Sequence, residues 1–149
     1  MDALEFMTVG RKTIGVYTAL CAPVCKRYGI NNTCLDVLMF LHNYPGYNTA
    51  RDLCQVRGIK TGMASVAVDT LVRRGFLIAE DDADDRRVRR LSIAPAAADV
   101  IRDGTEVQRQ FVESVGRGIG EDDREAFRRV IGCVLGNLDE LEVKNGNGN

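Results

Sequence analysis

Apolar residues recur at helical spacing over most of this chain. Between residues 6 and 28, apolar or small residues are separated by three or four positions, which predicts one face of a long helix. The residues on this face are Phe6, Gly10, Ile14, Tyr17, Cys21, Val24 and Tyr28. Pro23 lies inside the pattern, and it should kink the helix or end it early because its ring clashes with the preceding turn.

The next helix is predicted to be buried. The apolar residues between Leu35 and Leu41 would lie on most sides of a helix, so solvent should reach little of it. Thr33 and Asp36 have the spacing of a capping box, which predicts a helix start at Thr33. Turn-forming residues at 44–48 end the segment.

A short helix, a tight turn and a longer helix follow. Thr49 and Asp52 form a second capping-box pattern, at the start of a helix that reaches about residue 56. Gly58 suits a left-handed backbone angle between two helices. The longer helix runs over about 61–74 and ends before Gly75, the residue type expected after a helix end.

The pattern changes from helical to strand-like after Gly75. Residues 76–80 and 88–93 are typical of two strands, and the polar residues 81–87 between them form a hairpin tip. Helix, glycine turn, helix and hairpin, in this order, form the layout of a winged helix-turn-helix. The sequence therefore predicts a mainly α protein of about six helices with a small β-hairpin wing.

Two further helices are predicted after the hairpin. One begins near Pro95, which suits the first turn of a helix, and the other covers about 121–142. Their apolar stripes consist of Val100, Val107, Phe111 and Val115 in the first, and of Phe127, Val130, Ile131, Val134, Leu135, Leu138 and Leu141 in the second. Residues 143–149 should be disordered. The first and last helices carry more apolar surface than a small winged helix covers, which predicts a homodimer through these helices.

Charge and composition narrow the class of protein. The net charge is −1, yet residues 86–90 hold four arginines, so a basic wing is combined with an acidic last helix. No apolar run reaches the ~20 residues that span a bilayer, and the N-terminal segment does not resemble a secretory signal. We therefore expect a cytoplasmic protein without a membrane partner. The motifs of phosphate-binding loops and nucleophile elbows are missing, so neither an enzyme nor a cofactor is expected.

The cysteines point to the same compartment. They number five, at Cys21, Cys25, Cys34, Cys54 and Cys133. The odd number indicates free thiols in a reducing compartment. The apolar helical pattern around Cys34, Cys54 and Cys133 predicts that these three are small core residues. A metal site is not expected, because zinc needs about four ligands and His42 is the one histidine.

Cys21 and Cys25 allow two interpretations. They lie four residues apart, next to Lys26 and Arg27, and a nearby cation lowers a thiol pKa and favours the reactive thiolate. The pair is therefore either two small residues in the core of a dimer or a redox sensor.

Four short motifs lie in the helix-turn-helix and the wing. They are Leu53-Cys54-x-x-x-Gly58-Ile59, Ser65-x-x-Val68-Asp69-x-Leu71-x-x-x-Gly75, Asp85-x-Arg87 and Leu91-Ser92-Ile93-Ala94. In this combination they resemble the MarR (multiple antibiotic resistance regulator) family of transcriptional regulators. The helices on either side extend the resemblance over nearly the whole chain.

The resemblance implies a single MarR-type domain over residues 1–149. Its DNA-binding lobe would cover about 33–94, and its dimerisation helices about 2–30 and 95–142. It further implies a sequence-specific, ligand-responsive repressor that binds double-stranded DNA as a homodimer. Each subunit would place its recognition helix in a major groove of a pseudo-palindromic operator.

The resemblance also assigns the DNA contacts. The recognition residues would be Lys60, Thr61, Gly62, Met63, Ser65 and Val66, and the wing residues would be Arg87, Asp85 as its orienting partner, and Arg86 or Arg89 for phosphate. The sequence departs from the family at Lys60, where a serine or threonine cap is usual, and at Val66, where a polar residue is frequent. Because the helix start offers few donors, we expect electrostatic and shape-based binding with a steep salt dependence.

The family's regulators are released from DNA by small aromatic or phenolic effectors, and the resemblance implies such an effector here. The predicted lining residues are Tyr17, Leu20, His42 and Tyr44. Two alternatives remain open: a redox-sensing regulator that uses Cys21 and Cys25, and a winged-helix protein-interaction module that does not bind DNA. The net acidic charge and the sparse recognition helix motivate the second alternative.

Overall fold

Helices and one hairpin make up the chain. A computed structural model describes residues 2–146, and the side chains of residues 2–143. The elements are α1 (Ala3–Tyr28), α2 (Asn32–Asn43), α3 (Ala50–Gln55), α4 (Thr61–Arg73), β1 (Leu77–Asp81), β2 (Arg89–Ile93), a 3₁₀ turn (Pro95–Ala97), α5 (Ala98–Val115) and α6 (Glu121–Gly146). The predicted class, mainly helical with a β-hairpin wing and about six helices, is confirmed.

Side chains close to each helix start select where the helices begin. The Asp2 carboxylate accepts from the Glu5 backbone N–H, and the Glu5 carboxylate accepts from the Asp2 backbone N–H, at the start of α1. Thr49 and Asp52 form the predicted capping box of α3. The expected cap at Thr33 is wrong: the cap is Asn31, two residues earlier, whose side chain accepts from the Cys34 backbone N–H at 2.8 Å.

The long first helix is confirmed, and the last helix is longer than the sequence indicated. α1 continues through Pro23 to Tyr28, and its last turns are held by the buried side chains of Cys21, Val24 and Cys25. Burial of this face offsets the one backbone hydrogen bond that a proline removes. α6 continues to Gly146, so the prediction of disorder is wrong for residues 143–146, while residues 147–149 lie outside the described residues.

The wing is a two-stranded antiparallel sheet. Leu77 pairs with Ile93, Ala79 with Leu91 and Asp81 with Arg89. Leu77 and Leu91 are buried, so one face of the hairpin packs on the core and the other faces solvent. The α2–α3 loop supports the outer edge of the hairpin, since the Leu91 N–H donates to the Asn48 carbonyl at 2.7 Å.

The chain divides into two compact units at Phe111 and Val112. The core of the first unit is centred on α2, which packs against α1, α4 and β2. Its residues between Cys34 and Leu41 are buried except Asp36, and Leu38 is 0% exposed. The predicted burial of this helix is confirmed.

The second unit has a glycine turn before α6. Gly118 has a φ of +79°, which an L side chain rarely adopts. Arg124 on the first turn of α6 donates to the carbonyls of Gly116 and Ile119 at 2.7 and 2.9 Å. Its side chain therefore joins the turn to the helix that follows it.

Many apolar side chains of α1 and α6 are exposed in the single chain. They include Leu4, Met7 and Ile14 on α1 and Phe127, Val130, Leu138 and Leu141 on α6. Cys133 on α6 is also exposed, so its predicted place in a core is wrong, whereas Cys34 is buried as predicted. Within residues 2–146, none of the helices has the length and apolar content needed to cross a membrane.

Candidate nucleic-acid interface

The helix α4 has one buried face and one exposed face. Ala64, Ala67 and Leu71 are buried against the rest of the first unit, and α2 and α3 are among the packing partners of α4. Two alanines in this face let the helix approach its neighbours closely. The opposite face is thereby held at the surface, which a helix needs in order to enter a major groove ~12 Å wide.

The exposed face contains the residues that the sequence assigned to recognition. Lys60, Thr61, Gly62, Met63, Ser65 and Val66 are all exposed. Val66 is an apolar residue, yet 62% of its surface is exposed to solvent. Exposed apolar side chains can mark an interaction site. Lys60 is the N-cap residue of α4, and its side chain makes no capping hydrogen bond. Their role in DNA binding stays a prediction.

Asp82 organises the tip of the wing. One carboxylate oxygen accepts from the backbone N–H groups of Asp84 and Asp85 at 2.9 and 3.1 Å. The other accepts from the Arg90 Nε at 2.6 Å, and Arg90 also donates to the Asn48 side chain. The side chain of Asp82 is only 16% exposed. The Arg90 guanidinium, followed by the two backbone donors, lowers the pKa of this carboxyl to about 2.

Three wing arginines differ from Arg90. Arg86 and Arg87 are exposed, and their guanidinium groups form no hydrogen bond or ion pair with any residue that the structure describes. Arg89 donates weakly to the Ala79 carbonyl, at 3.5 Å. The predicted orientation of Arg87 by Asp85 takes another form, because the Asp85 carboxylate accepts from the Arg87 backbone N–H at 3.0 Å. Asp85 therefore shapes the turn that presents Arg87.

A groove joins the exposed face of α4 to the wing. It has a volume of about 430 Å³ and is lined by Val66, Asp69, Val72 and Arg73 of α4 and by Arg89 of β2. Helix and wing therefore border one continuous surface of the first unit. A duplex that lies on this surface would meet both elements.

Asp69 and Arg73 are groove residues that the sequence analysis did not assign. They follow Val66 by three and seven positions, so helical periodicity places them on the same face. The Arg73 Nε donates weakly to the Asp69 backbone carbonyl, at 3.4 Å. The spacing from Gly62 and Val66 was a signal that could have identified both residues.

The comparisons with known proteins agree with this architecture. Residues 28–88, from the end of α1 through most of the wing, match the model of the MarR family. Over this segment the chain is similar to the MarR family. The matched segment contains α2, α3, α4 and β1, which form the helix-turn-helix and the first wing strand.

Solved structures of MarR-type proteins share the fold. A MarR protein from Peptoclostridium difficile is 14% identical, with a TM-score of 0.81 over 97% of this chain and 93% of that chain. The S. aureus MepR–DNA complex is 13% identical, with a TM-score of 0.73 over 93% and 96% of the two chains. Bordetella bronchiseptica BpsR, whose DNA binding is regulated by 6-hydroxynicotinic acid, is 16% identical, with a TM-score of 0.69 over 88% and 98%.

The environment of Cys21 and Cys25 favours the neutral thiol. Both are buried, and burial is the main cause that raises the pKa of each thiol above its ordinary value. The Cys25 Sγ is 3.6 Å from the Asn32 Oδ1. The neighbouring cations therefore do not favour the thiolate. Both cysteines are small residues of a core, but this core lies within one chain rather than between two subunits, and their burial disfavours the redox sensor.

The four predicted effector-lining residues lie in different surroundings. The Tyr17 hydroxyl accepts from the Gln108 Nε2 at 3.2 Å, and its ring meets Phe111 edge-on at 5.2 Å. Burial raises the Tyr17 pKa. Leu20 is exposed on the same helix. Tyr17 thus takes part in packing between α1 and α5.

His42 and Tyr44 lie at the end of α2. His42 lines a cleft of about 320 Å³ together with residues of the α2–α3 loop and of β2, and this cleft includes neither Tyr17 nor Leu20. The Tyr44 ring packs on Phe40 with a centroid distance of 5.4 Å. The Asn43 side chain connects the two surroundings, since it donates to the Gln108 Oε1 at 3.0 Å.

Proposed function

We propose that this chain is a homodimeric transcriptional regulator that binds double-stranded DNA through α4 and the wing. The observation that carries the proposal is the shared surface of α4 and β2, with the groove between them and the guanidinium groups of Arg86 and Arg87 free of partners among residues 2–146. An exposed helix beside a basic hairpin is the arrangement that meets a major groove and its flanking phosphates.

The proposed binding is dominated by phosphate contacts. Apolar contacts from Met63 and Val66 to thymine methyl groups discriminate less than bidentate hydrogen bonds. Arg86 and Arg87 would displace counterions from the DNA, so the logarithm of the binding constant should fall linearly with the logarithm of salt concentration. Asp82 and Arg90 support this role indirectly, because they give the wing tip a defined shape.

The proposed dimer covers the exposed apolar residues of α1 and α6. A two-fold interface uses the same patch on both subunits, so the apolar side chains of one subunit pack against those of the other. The recognition helices of the two subunits would then reach successive major grooves, about 34 Å apart. Pseudo-palindromic operators match this symmetry.

Similar proteins support DNA binding and its regulation by a small molecule. MepR is solved in complex with DNA, and the DNA binding of BpsR is regulated by 6-hydroxynicotinic acid, an aromatic acid. By analogy we propose repression that is relieved by a small aromatic or phenolic effector, with Tyr17, Leu20, His42 and Tyr44 as candidate contacts. Such an effector acts only through a difference in affinity between the DNA-bound and free arrangements.

The test begins with selection of a binding site from random-sequence duplexes, followed by fluorescence anisotropy titration at several salt concentrations. Arg87→Ala should weaken binding and reduce the salt slope by about 1 for each phosphate that the protein no longer neutralises. Arg129→Ala, on α6, removes the same charge from a residue that the proposal does not assign to DNA binding, and it should leave binding unchanged. A binding constant that is insensitive to moderate salt would contradict the proposal.

A second candidate is a winged-helix module that binds another protein. The exposed apolar side chains of Met63 and Val66 on α4 favour it, since such side chains are common in protein interfaces. Failure to select any duplex, together with no salt-sensitive complex on mixed-sequence DNA, would support this candidate over the regulator.

A further inference from the structure

The last turn of α1 and the last turn of α4 are joined by one side chain. Arg74, the C-cap residue of α4, donates from one terminal nitrogen to the Gly29 carbonyl at 2.9 Å and from the other to the Tyr28 carbonyl at 2.6 Å. These carbonyls lie at the C-terminal end of α1, which carries a partial negative charge. A cation is therefore well suited to this position.

The site fits an arginine specifically. A planar guanidinium presents two donors in a rigid fork, whereas a lysine ammonium is a single point charge. The Arg74 guanidinium also lies over the Phe76 ring, 5.5 Å from its centroid. Gly29 has a φ of +61°, and a Cβ built on it would be 3.0 Å from an Arg74 terminal nitrogen. The backbone of α1 thus leaves room for this side chain.

The same turn of α1 is also fixed to α5. The Tyr28 hydroxyl donates to the Asp103 carboxylate at 2.7 Å, and Arg27 donates to the same oxygen at 3.0 Å. The Tyr28 hydroxyl is the main cause of a lowered Asp103 pKa. The end of α1 is therefore held by α5 on one side and by Arg74 of α4 on the other.

A contact at Arg74, at the C-terminal end of α4, affects the position of the N-terminal end of this helix. The main packing partners of α4 are α2, α3 and β1, and Arg74 adds a direct connection to α1. A helix of this length is about 20 Å long. A tilt of about 5° at its C-terminal end would displace its other end by about 2 Å, which is enough to break base contacts.

We propose that Arg74 is a positioning residue that sets the angle of the recognition helix relative to α1. The proposal rests on the proposed function, in which α1 belongs to the dimer interface and α4 enters the DNA. Arg74 would not touch DNA. It would instead fix the distance between the two recognition helices of a dimer, so that both reach their half-sites at once.

The test compares Arg74→Lys with Arg109→Lys, the same exchange at an exposed position of α5, where the arginine pairs with Glu106 on the same helix. Both keep the charge. Each protein is titrated, below its melting temperature, with a selected duplex that has two half-sites and with the same duplex after one half-site is scrambled. Simultaneous engagement of two sites raises affinity only if their geometry matches.

For Arg74→Lys we expect a loss of about tenfold or more on the two-site duplex, little change on the one-site duplex and an unchanged salt slope. Arg109→Lys should behave as the wild type on the two duplexes. An equal loss on both duplexes, or no loss on either, would overturn the positioning role. Failure to select any duplex with the wild type would instead contradict the proposed function.

A second variant guards against a general loss of structure. Gly29→Ala keeps Arg74 but places a methyl group 3.0 Å from its guanidinium, at a backbone angle that already strains alanine. It should show the same selective loss on the two-site duplex. An Arg74→Lys protein with unchanged dimer mass and a cooperative melt that still binds the two-site duplex normally would also exclude the proposal.

Discussion

The helices α2 and α6 have similar apolar stripes but opposite surroundings. In α2, Leu38 is completely buried, and the helix has neighbours from α1, α4 and β2. In α6, Phe127 is 64% exposed and Leu138 is 44% exposed. One stripe is therefore covered within the chain, whereas the other stays exposed to solvent in the single chain.

This comparison separates two sources of stability. Burial of an apolar side chain contributes ~25 cal/mol per Å² removed from water, and α2 obtains this in the monomer. The exposed stripe of α6 gains nothing comparable until something covers it. We therefore expect substitutions in α2 to change folding, and substitutions in the α6 stripe to change association.

The largest effect is expected from Leu38→Ala. It would leave a cavity in the centre of α2, and loss of a buried leucine typically lowers the free energy of unfolding by about 2–5 kcal/mol. Val143→Ala, at an exposed position of α6 off the apolar stripe, should change it by about 0.5 kcal/mol or less. Urea denaturation followed by circular dichroism measures both. Similar small values for the two variants would remove the distinction between the helices.

The next effect concerns association. Leu138→Asp would place a charge within the proposed dimer interface, where the loss of hydration costs on the order of 3 kcal/mol. The molar mass from light scattering should fall towards that of a monomer, with an unchanged circular dichroism spectrum. Glu140→Lys, on the opposite side of α6, should leave the mass unchanged. A wild type that is monomeric at micromolar concentration would refute the dimer itself.

Two glycines offer a smaller and more direct test. A Cβ at Gly104 of α5 would be 2.5 Å from the Met39 Sδ, and Met39 is buried, so overpacking should outweigh the gain in helix propensity. We expect Gly104→Ala to lower the free energy of unfolding by about 1 kcal/mol. Gly136→Ala, opposite the α6 stripe and with no side chain nearby, should raise it by about 0.5–1 kcal/mol. Thermal melts of both variants give the signs, and equal signs would contradict tight packing at Gly104.

The smallest effect is expected at the wing. The pKa of Asp82 is lowered to about 2, so its ionised form stabilises the folded wing above the ordinary pKa of 3.8. That contribution should disappear as the pH falls from about 4 to about 2. The difference in melting temperature between the wild type and Asp82→Asn should be constant at higher pH and shrink over this interval. Asp84→Asn serves as the control, and a difference that grows on acidification would contradict the assignment.

Local signals in the sequence predicted much of the first unit. The capping box of Thr49 and Asp52 depends on residues three positions apart, and the φ values of Gly58 and Gly75, +77° and +72°, follow from the turns that they occupy. These features involve neighbours in sequence, so they can be recognised without tertiary information. The two wing strands were recognised from residue types typical of strands on either side of a polar tip.

The start of α2 shows where local signals are insufficient. Asn31, Asn32 and Thr33 are all residue types that cap helices. The burial of Ile30 and the hydrogen bond from its N–H to the Cys25 carbonyl position the chain so that Asn31 becomes the cap. The choice was therefore made by packing between α1 and α2.

The sequence likewise predicted only part of the candidate interface. The cluster of arginines near residues 86–90 was evident from the sequence, but their separate roles were not. Arg90 is directed to Asp82 and Asn48, while Arg86 and Arg87 have no such partner within the described residues. The Asn48 contact spans 42 positions in the chain, so no sequence window contains it.

The sequence by itself determined the order of helices and strands, their turns and the basic character of the wing, because periodicity, caps and glycines act over a few residues. Tertiary structure alone decided that Cys21 and Cys25 are buried, which wing arginine is paired and how Arg74 connects α4 to α1. These outcomes depend on surfaces that are distant in sequence and meet only after folding. Burial, pKa and side-chain partners are properties of that assembled environment.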